Sequence, residues 1–171
     1  MIERVHHDGI VTLRLAHGKA SALDIELLDA IARAFGDINS DDSARAVILT
    51  GSGSIFSAGV DLFRMTNEGA PYCDRFVPAL TRTILDVFTL QKPVVCAING
   101  HAIAGGCVIA AACDYKLMSA GNGRIGMPEM LVGVPFPPAI LEIIRFAVAT
   151  QHFQSLIYTG KTVAPEDALR I

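Results

Sequence analysis

Apolar and polar residues along this chain alternate between two rhythms. In "GIVTLRLAH" (Gly9–His17) apolar positions recur at every second residue, which predicts a strand with one inward face. The next segment, "SALDIELLDAIARAFGDI", spaces Leu23, Leu27, Ile31 and Phe35 one helical turn apart and predicts an amphipathic helix. Two short apolar runs, "ARAVILTG" (Ala44–Gly51) and "PVVCAING" (Pro93–Gly100), end in glycine and read as buried strands. Between them lie a Gly/Ser loop, Ser52–Leu62, and a long helix, Cys73–Leu90, ended by Gln91-Lys92-Pro93. "NGHAIAGGCVIAAACD" (Asn99–Asp114) then predicts a turn that runs into a buried helix. "DYKLMSA" (Asp114–Ala120) reads as a further strand and Arg124–Gly126 as another, followed by a proline-punctuated loop, Met127–Pro138, with at most a short helix. Ala139–Ala149 is apolar enough for a helix, and another starts at Pro165.

Strands that alternate with helices predict an α/β fold with largely parallel strands, in a single domain over residues 1–171. No sequence repeat of fixed period is visible. Two apolar strands, Val47–Leu49 and Val94–Ile98, each run into a glycine-bearing turn, and ligands of open α/β sheets bind outside such strand ends. The final helix start, "PEDALRI", has no C-cap, glycine or polar tail, so the expectation is a chain that stops short of a helical continuation.

Composition narrows the function classes. About half the residues are hydrophobic (51%), enough for a core and too many for disorder. A formal charge of -3 and no Lys/Arg cluster argue against nucleic acid as a partner. The window Val94–Cys113 has the length of a membrane span, but Asn99, His101 and its glycines fit a strand, a turn and a helix better, so no membrane partner is expected. The N-terminus shows neither an apolar signal core nor an Arg/Ser-rich transit pattern. Cys73, Cys96, Cys107 and Cys113 form no C-x-x-C pair; buried reduced thiols are expected, with a reducing, cytoplasmic location.

Familiar motifs fail on their contents. Gly100–Cys107 has the frame of a phosphate-binding loop, but Gly106 and Cys107 stand where its lysine and hydroxyl belong. No dinucleotide fingerprint, serine-hydrolase elbow or H-E-x-x-H is present, and adjacent His6 and His7 would face opposite sides of a strand, so no metal site is expected. The glycine turns suggest different chemistry. A helix N-terminus offers free N–H groups, and Gly105 lets a ligand approach them closely. A second N–H, from Val60 beside Gly59, would complete an oxyanion hole; loss of one such donor costs about 3–4 kcal/mol of transition-state stabilisation in other enzymes. The alternative is that both turns serve only as left-handed stops or packing contacts. Enolate chemistry also needs a base. Glu129 is the lone acid in the apolar stretch Ile125–Ile140, where burial would poise it near neutrality; otherwise it is a first-turn glutamate facing water. Glu142 is a weaker candidate, at a helical position that can face solvent.

"FSAGVDL", "KPVVCAINGHAIAGGCVIAAACDYKLMS" and "IGMPEMLVGVP", in this order, resemble the enoyl-CoA hydratase/isomerase (crotonase) superfamily, and "KASALD" looks like its first acyl-CoA loop. The resemblance spans essentially the whole chain. It implies a spiral of ββα units, C-terminal helices that this chain lacks, and assembly as a homotrimer or hexamer. It also implies an acyl-CoA thioester substrate whose oxygen is held by the Val60 and Gly105 N–H groups. Ala20, Ala22, Ser57, Ala58, Val60, Asp61, Leu62 and Gly105 would lie along the coenzyme A moiety, which belongs to the substrate; no further cofactor is required. One position departs from the family hydratases. Their first glutamate is replaced here by Val108, while the second is kept as Glu129. That pattern looks more like the Δ3,Δ2-enoyl-CoA isomerases, in which a single base suffices. The competing expectations are a hydratase or other lyase of the same superfamily, and a non-catalytic acyl-CoA-binding or assembly subunit.

Overall fold

The computed structural model describes all 171 residues. Its elements run β1 (Ile2–His7), β2 (Ile10–Leu15), α1 (Ile25–Asn39); β3 (Ala46–Gly51), β4 (Ile55–Ser57), α2 (Leu62–Glu68), α3 (Ala70–Phe88); β5 (Val94–Ile98), β6 (His101–Ile103), α4 (Gly105–Ala112); and β7 (Tyr115–Met118), β8 (Ile125–Gly126), a 3-10 turn (Pro128–Leu131) and α5 (Pro138–Ala147). Then come α6 (Thr150–Thr159), β9 (Thr162–Val163) and α7 (Pro165–Ala168). Each group of two strands and helix is one turn of a spiral. The first sheet has the order β1-β2-β3-β5-β7 and the second β4-β6-β8-β9, so from β3 onward each turn lays one strand in each sheet. Within the sheets, only the β1–β2 and β8–β9 pairs are antiparallel.

Register carries the apolar rhythm across the first sheet. Val11 pairs with Val47 and Val47 with Val94; Leu13 pairs with Leu49 and Leu49 with Cys96. These residues all face inward and are almost fully buried, together with Leu27, Ile31 and Phe35 of α1 and Phe76, Ile84 and Val87 of α3. Asp24 starts α1 by accepting the Leu27 N–H at 2.7 Å, which satisfies one orphan donor of the first turn.

The structure revises several expectations. The predicted loop Ser52–Leu62 contains β4, and the turn after Asn99 contains β6, each only three residues long. Strands that short show no usable period. β1 is too polar in sequence ("IERVHH") to announce itself, and it is an antiparallel edge strand. The long helix starts at Ala70 rather than Cys73, and α2, α6 and β9 were not foreseen. β3 and β5 are buried on one face only; Ile48, Thr50, Val95 and Ala97 are half-buried. The apolar window Val94–Cys113 is divided among β5, β6 and α4, and no helix is long and apolar enough to cross a membrane. All four cysteines are free, and Cys96, Cys107 and Cys113 are buried.

Leu49 sits at the centre of the paired rows with no exposure. Leu49→Ala should lower the unfolding free energy by about 2–5 kcal/mol, measured by urea titration with an unchanged m-value.

Candidate active site

The site forms where the C-terminal ends of β4 and β6 meet. Gly59 follows β4 with φ +83°, a conformation that favours glycine. A Cβ there would fall 2.5 Å from the Ile103 carbonyl oxygen and 3.0 Å from the Gly105 nitrogen. A Cβ on Gly105 would lie 2.6 Å from a methyl of Leu23 and 3.6 Å from one of Val60. The two turns therefore stand in direct contact, and only glycine lets them approach so closely. Gly106 does the same one residue later: its Cβ would strike the Ser57 carbonyl oxygen at 2.5 Å.

Two free donors result. Val60 pairs in parallel with Leu23, an isolated bridge in which Leu23 N–H donates to Gly59 O at 2.8 Å and Asp61 N–H to Leu23 O at 3.0 Å. The bridge uses the peptide groups on either side and leaves the Val60 N–H without an acceptor. Gly105 is the first residue of α4, so no helical carbonyl lies behind its N–H, and no turn or cap carbonyl accepts it. Ala104, just before it, holds φ +51° and ψ -124°, a strained conformation for a residue with a Cβ. Its N–H donates to Gly126 O at 2.9 Å, which fastens this turn to the end of β8.

That fastening brings in Glu129, three residues beyond Gly126 on the 3-10 turn. The Glu129 carbonyl accepts the Val132 and Val134 N–H groups at 3.1 and 3.0 Å, folding the chain back over itself. The residue is 7% exposed, and Oε2 is buried with no hydrogen-bond partner. Burial pushes this carboxyl from its ordinary 4.5 up to about 7. The Cys107 thiol, in the first turn of α4, is pushed up to about 12 by its own burial and then by the nearby Glu129 charge. Glu129 is thus an inward-facing acid beside the start of α4, not a solvent-facing first-turn residue. Glu142, by contrast, is exposed and pairs with Arg145 at 3.7 Å. Val108 is buried at 2% exposure.

The other predicted contact residues divide by what their atoms already do. Ala58 is exposed and donates its N–H to Ala20 O at 3.0 Å; Ala22 is half-buried beside the Val60–Leu23 bridge. The Ser57 hydroxyl is committed inside the protein, donating to Ser21 O at 2.7 Å and accepting the Gly59 N–H at 3.1 Å. Asp61 caps α2 by accepting the Arg64 N–H at 3.0 Å, and Leu62 is exposed. Sequence reasoning missed the strain at Ala104, for which alanine gives no signal, and the proximity of Cys107 to Glu129. It also missed the capping role of the matched aspartates Asp24 and Asp61, each one residue beyond a bridge partner and each a helix cap. Their position just before a helical segment was the available signal.

The family model for enoyl-CoA hydratase/isomerase matches residues 6–171. The chain belongs to the enoyl-CoA hydratase/isomerase family. A Thermus thermophilus protein provisionally named an enoyl-CoA hydratase is 36% identical over 154 residues, which is 88% of this chain and 60% of that protein. A carnitinyl-CoA dehydratase of Salmonella paratyphi B is 33% identical over 163 residues, 94% of this chain and 61% of the relative. Among solved structures, an enoyl-CoA hydratase/carnitine racemase from Magnetospirillum magneticum superposes with a TM-score of 0.91 at 25% identity, over 99% of this chain and 64% of that one. An enoyl-CoA hydratase from Bacillus anthracis gives 0.89 at 27% identity, over 98% and 66%. The mixed α/β spiral is the family's fold, and the chain spans about three fifths of the length of the curated relatives it matches.

A buried carboxyl with a raised pKa has a stability signature. Between its unfolded value near 4.5 and its folded value near 7, the folded state binds more protons, so this group's contribution to stability falls as pH rises through that window. Glu129→Gln should therefore stabilise the protein at about pH 8 by up to about 3 kcal/mol and change little at about pH 4, as read from denaturant titrations.

Proposed function

We propose that this protein acts on an acyl-CoA thioester, and that it is a Δ3,Δ2-enoyl-CoA isomerase with Glu129 as its single acid–base group. The observation that carries this reading is the union of two unbonded N–H groups in touching turns with a buried carboxyl, its Oε2 unpartnered, three residues beyond the Gly126 backbone that is bonded to the same turn.

The thioester carbonyl oxygen accepts from Val60 N–H and Gly105 N–H. These donors are fixed before substrate arrives, so they stabilise developing negative charge without reorganisation. The Glu129 carboxylate removes a proton from C2 of a 3-enoyl thioester, and the C–H electron pair moves into the carbonyl to give a dienolate. The same carboxyl, now protonated, returns the proton at C4, and the double bond comes to rest between C2 and C3. A pKa near 7 suits a group that must accept and then donate a proton near neutral pH. Ala20, Ala22, Ala58 and Leu62 flank the Val60 turn and would contact the coenzyme A portion mainly through backbone and apolar atoms; Ser57 and Asp61 would support that surface, because their side chains are already engaged. Coenzyme A enters as part of the substrate, and the proposed steps use no other cofactor. A homotrimer or hexamer belongs to the same proposal by family analogy.

Hydration or dehydration is the second reading, favoured by the names of the Thermus and Salmonella relatives. Against it stands Val108, which cannot carry the proton of a second acid. Purified protein should turn over 3-enoyl-CoA faster than it hydrates 2-enoyl-CoA. Glu129→Gln should lower isomerase kcat by about 10²–10⁴-fold, and wild-type kcat/KM should rise with pH through about 7 as the base ionises. Val108→Glu should raise hydratase turnover. Isomerase turnover near wild type in Glu129→Gln would exclude Glu129 as the base.

A further inference from the structure

α2 is the least anchored element beside the site. It follows directly on the Val60 turn, contributes no buried residue, and leaves Leu62 38% and Phe63 84% exposed. Met65 packs partly against the core. At its far end Gly69, with φ +68° and open space where a Cβ would be, is both the C-cap of α2 and the N-cap of α3, so the two helices meet at a single residue.

One side chain spans from this helix to its neighbours. The Arg64 guanidinium donates to both carboxylate oxygens of Glu26 in α1, through Nη1 and, at 2.9 Å, Nη2. Its Nε donates to Glu68 at 2.6 Å within α2, and its Cζ lies over the Tyr72 ring of α3, 4.9 Å from the ring centre. Nη1 also stands 3.7 Å from Asp24 Oδ2, the atom that His17 Nε2 meets at 2.7 Å, while Asp24 Oδ1 caps α1. The tyrosine hydroxyl accepts the Ile25 N–H at 3.3 Å. A single guanidinium thus ties α2 to α1 and α3, and stands beside Asp24, two residues beyond Ala22. A bidentate, ring-stacked arginine fixes orientation in a way that a lysine cannot.

We propose that Arg64 is a positioning residue that latches α2 and so sets the opening between Ala20–Ala22 and Ala58–Leu62, the two segments that flank the Val60 N–H. This rests on the acyl-CoA reading above. The Val60 N–H itself is held by the Leu23 bridge and Glu129 by a separate segment, so the latch governs how substrate is seated and not the proton transfers.

The test uses the protein with Arg64→Ala, Arg64→Lys, Glu26→Gln and the Arg64→Ala/Glu26→Gln double variant. Exposed ion pairs contribute little to global stability, so all should fold. In Arg64→Ala the amides of residues 62–68 should exchange with solvent about tenfold faster while those of α4 are unchanged. KM for 3-enoyl-CoA should rise about tenfold with kcat within about twofold. Arg64→Lys should recover only part of the KM loss, and the double variant should be no worse than Arg64→Ala, because the two side chains act as one unit. Unchanged exchange in Arg64→Ala, fast exchange with unchanged KM, or a fall in kcat alone would each overturn the latch. If the wild-type protein turns over no enoyl-CoA, the proposed function fails instead, and exchange alone decides: fast α2 exchange in Arg64→Ala upholds the latch and unchanged exchange refutes it.

Discussion

The contact of the Gly59 turn with the Ala104–Gly105 turn is the constraint from which the rest of the site follows. Two backbones meet this closely only where side chains are absent from the facing positions, and a Cβ at Gly59 would be 2.5–3.0 Å from three atoms of the opposite turn. The meeting point is set by the spiral: β4 and β6 are parallel neighbours in the second sheet, so their C-terminal turns emerge side by side. The Leu23–Val60 bridge then ties up the peptide groups around Val60, and the start of α4 leaves the Gly105 N–H unbonded. Neither donor is a side chain, so the pair of N–H groups is set by the glycines and the strand pairing and not by side-chain identity at Val60.

Structural costs gather at this place. Ala104 occupies a region of φ,ψ space that costs about 1–3 kcal/mol for a residue with a side chain. Glu129 is buried without a partner for Oε2, and its raised pKa measures the same expense in electrostatic terms. The paired rows of the first sheet, Val11–Val47–Val94 and Leu13–Leu49–Cys96, packed against α1 and α3, supply the stability that offsets both. Strain and desolvation are confined to one pair of turns and one carboxyl, and local departures of this kind gather at functional sites.

Much of this was legible in the chain. The alternation of β2, the helical spacing of Leu23, Leu27, Ile31 and Phe35, and the glycine ends of β3 and β5 sufficed for an α/β architecture. The lone acid among apolar residues marked Glu129, and Gly59 and Gly105 marked the turns. What stayed hidden depends on three-dimensional pairing. β4, β6, β8 and β9 are two or three residues long, too short for a period to show, yet they bring the turns together. The polar strand β1 has no apolar rhythm because it lies at a sheet edge. The burial of Glu129 is a matter of how its segment packs, and that segment is bonded through Gly126 to Ala104, more than twenty residues away. Arg64 carries no sequence signal of its role, because Asp24 and Glu26 reach it from the start of α1, far away along the chain, and Tyr72 from α3.

The central claim is that one oxygen sits between two backbone donors. A structure with an unreactive acyl-CoA thioester analogue bound tests it directly. The thioester oxygen should lie about 2.7–3.1 Å from both Val60 N and Gly105 N, with the Glu129 carboxylate facing C2. A thioester oxygen bound elsewhere, or bonded to neither nitrogen, would contradict it.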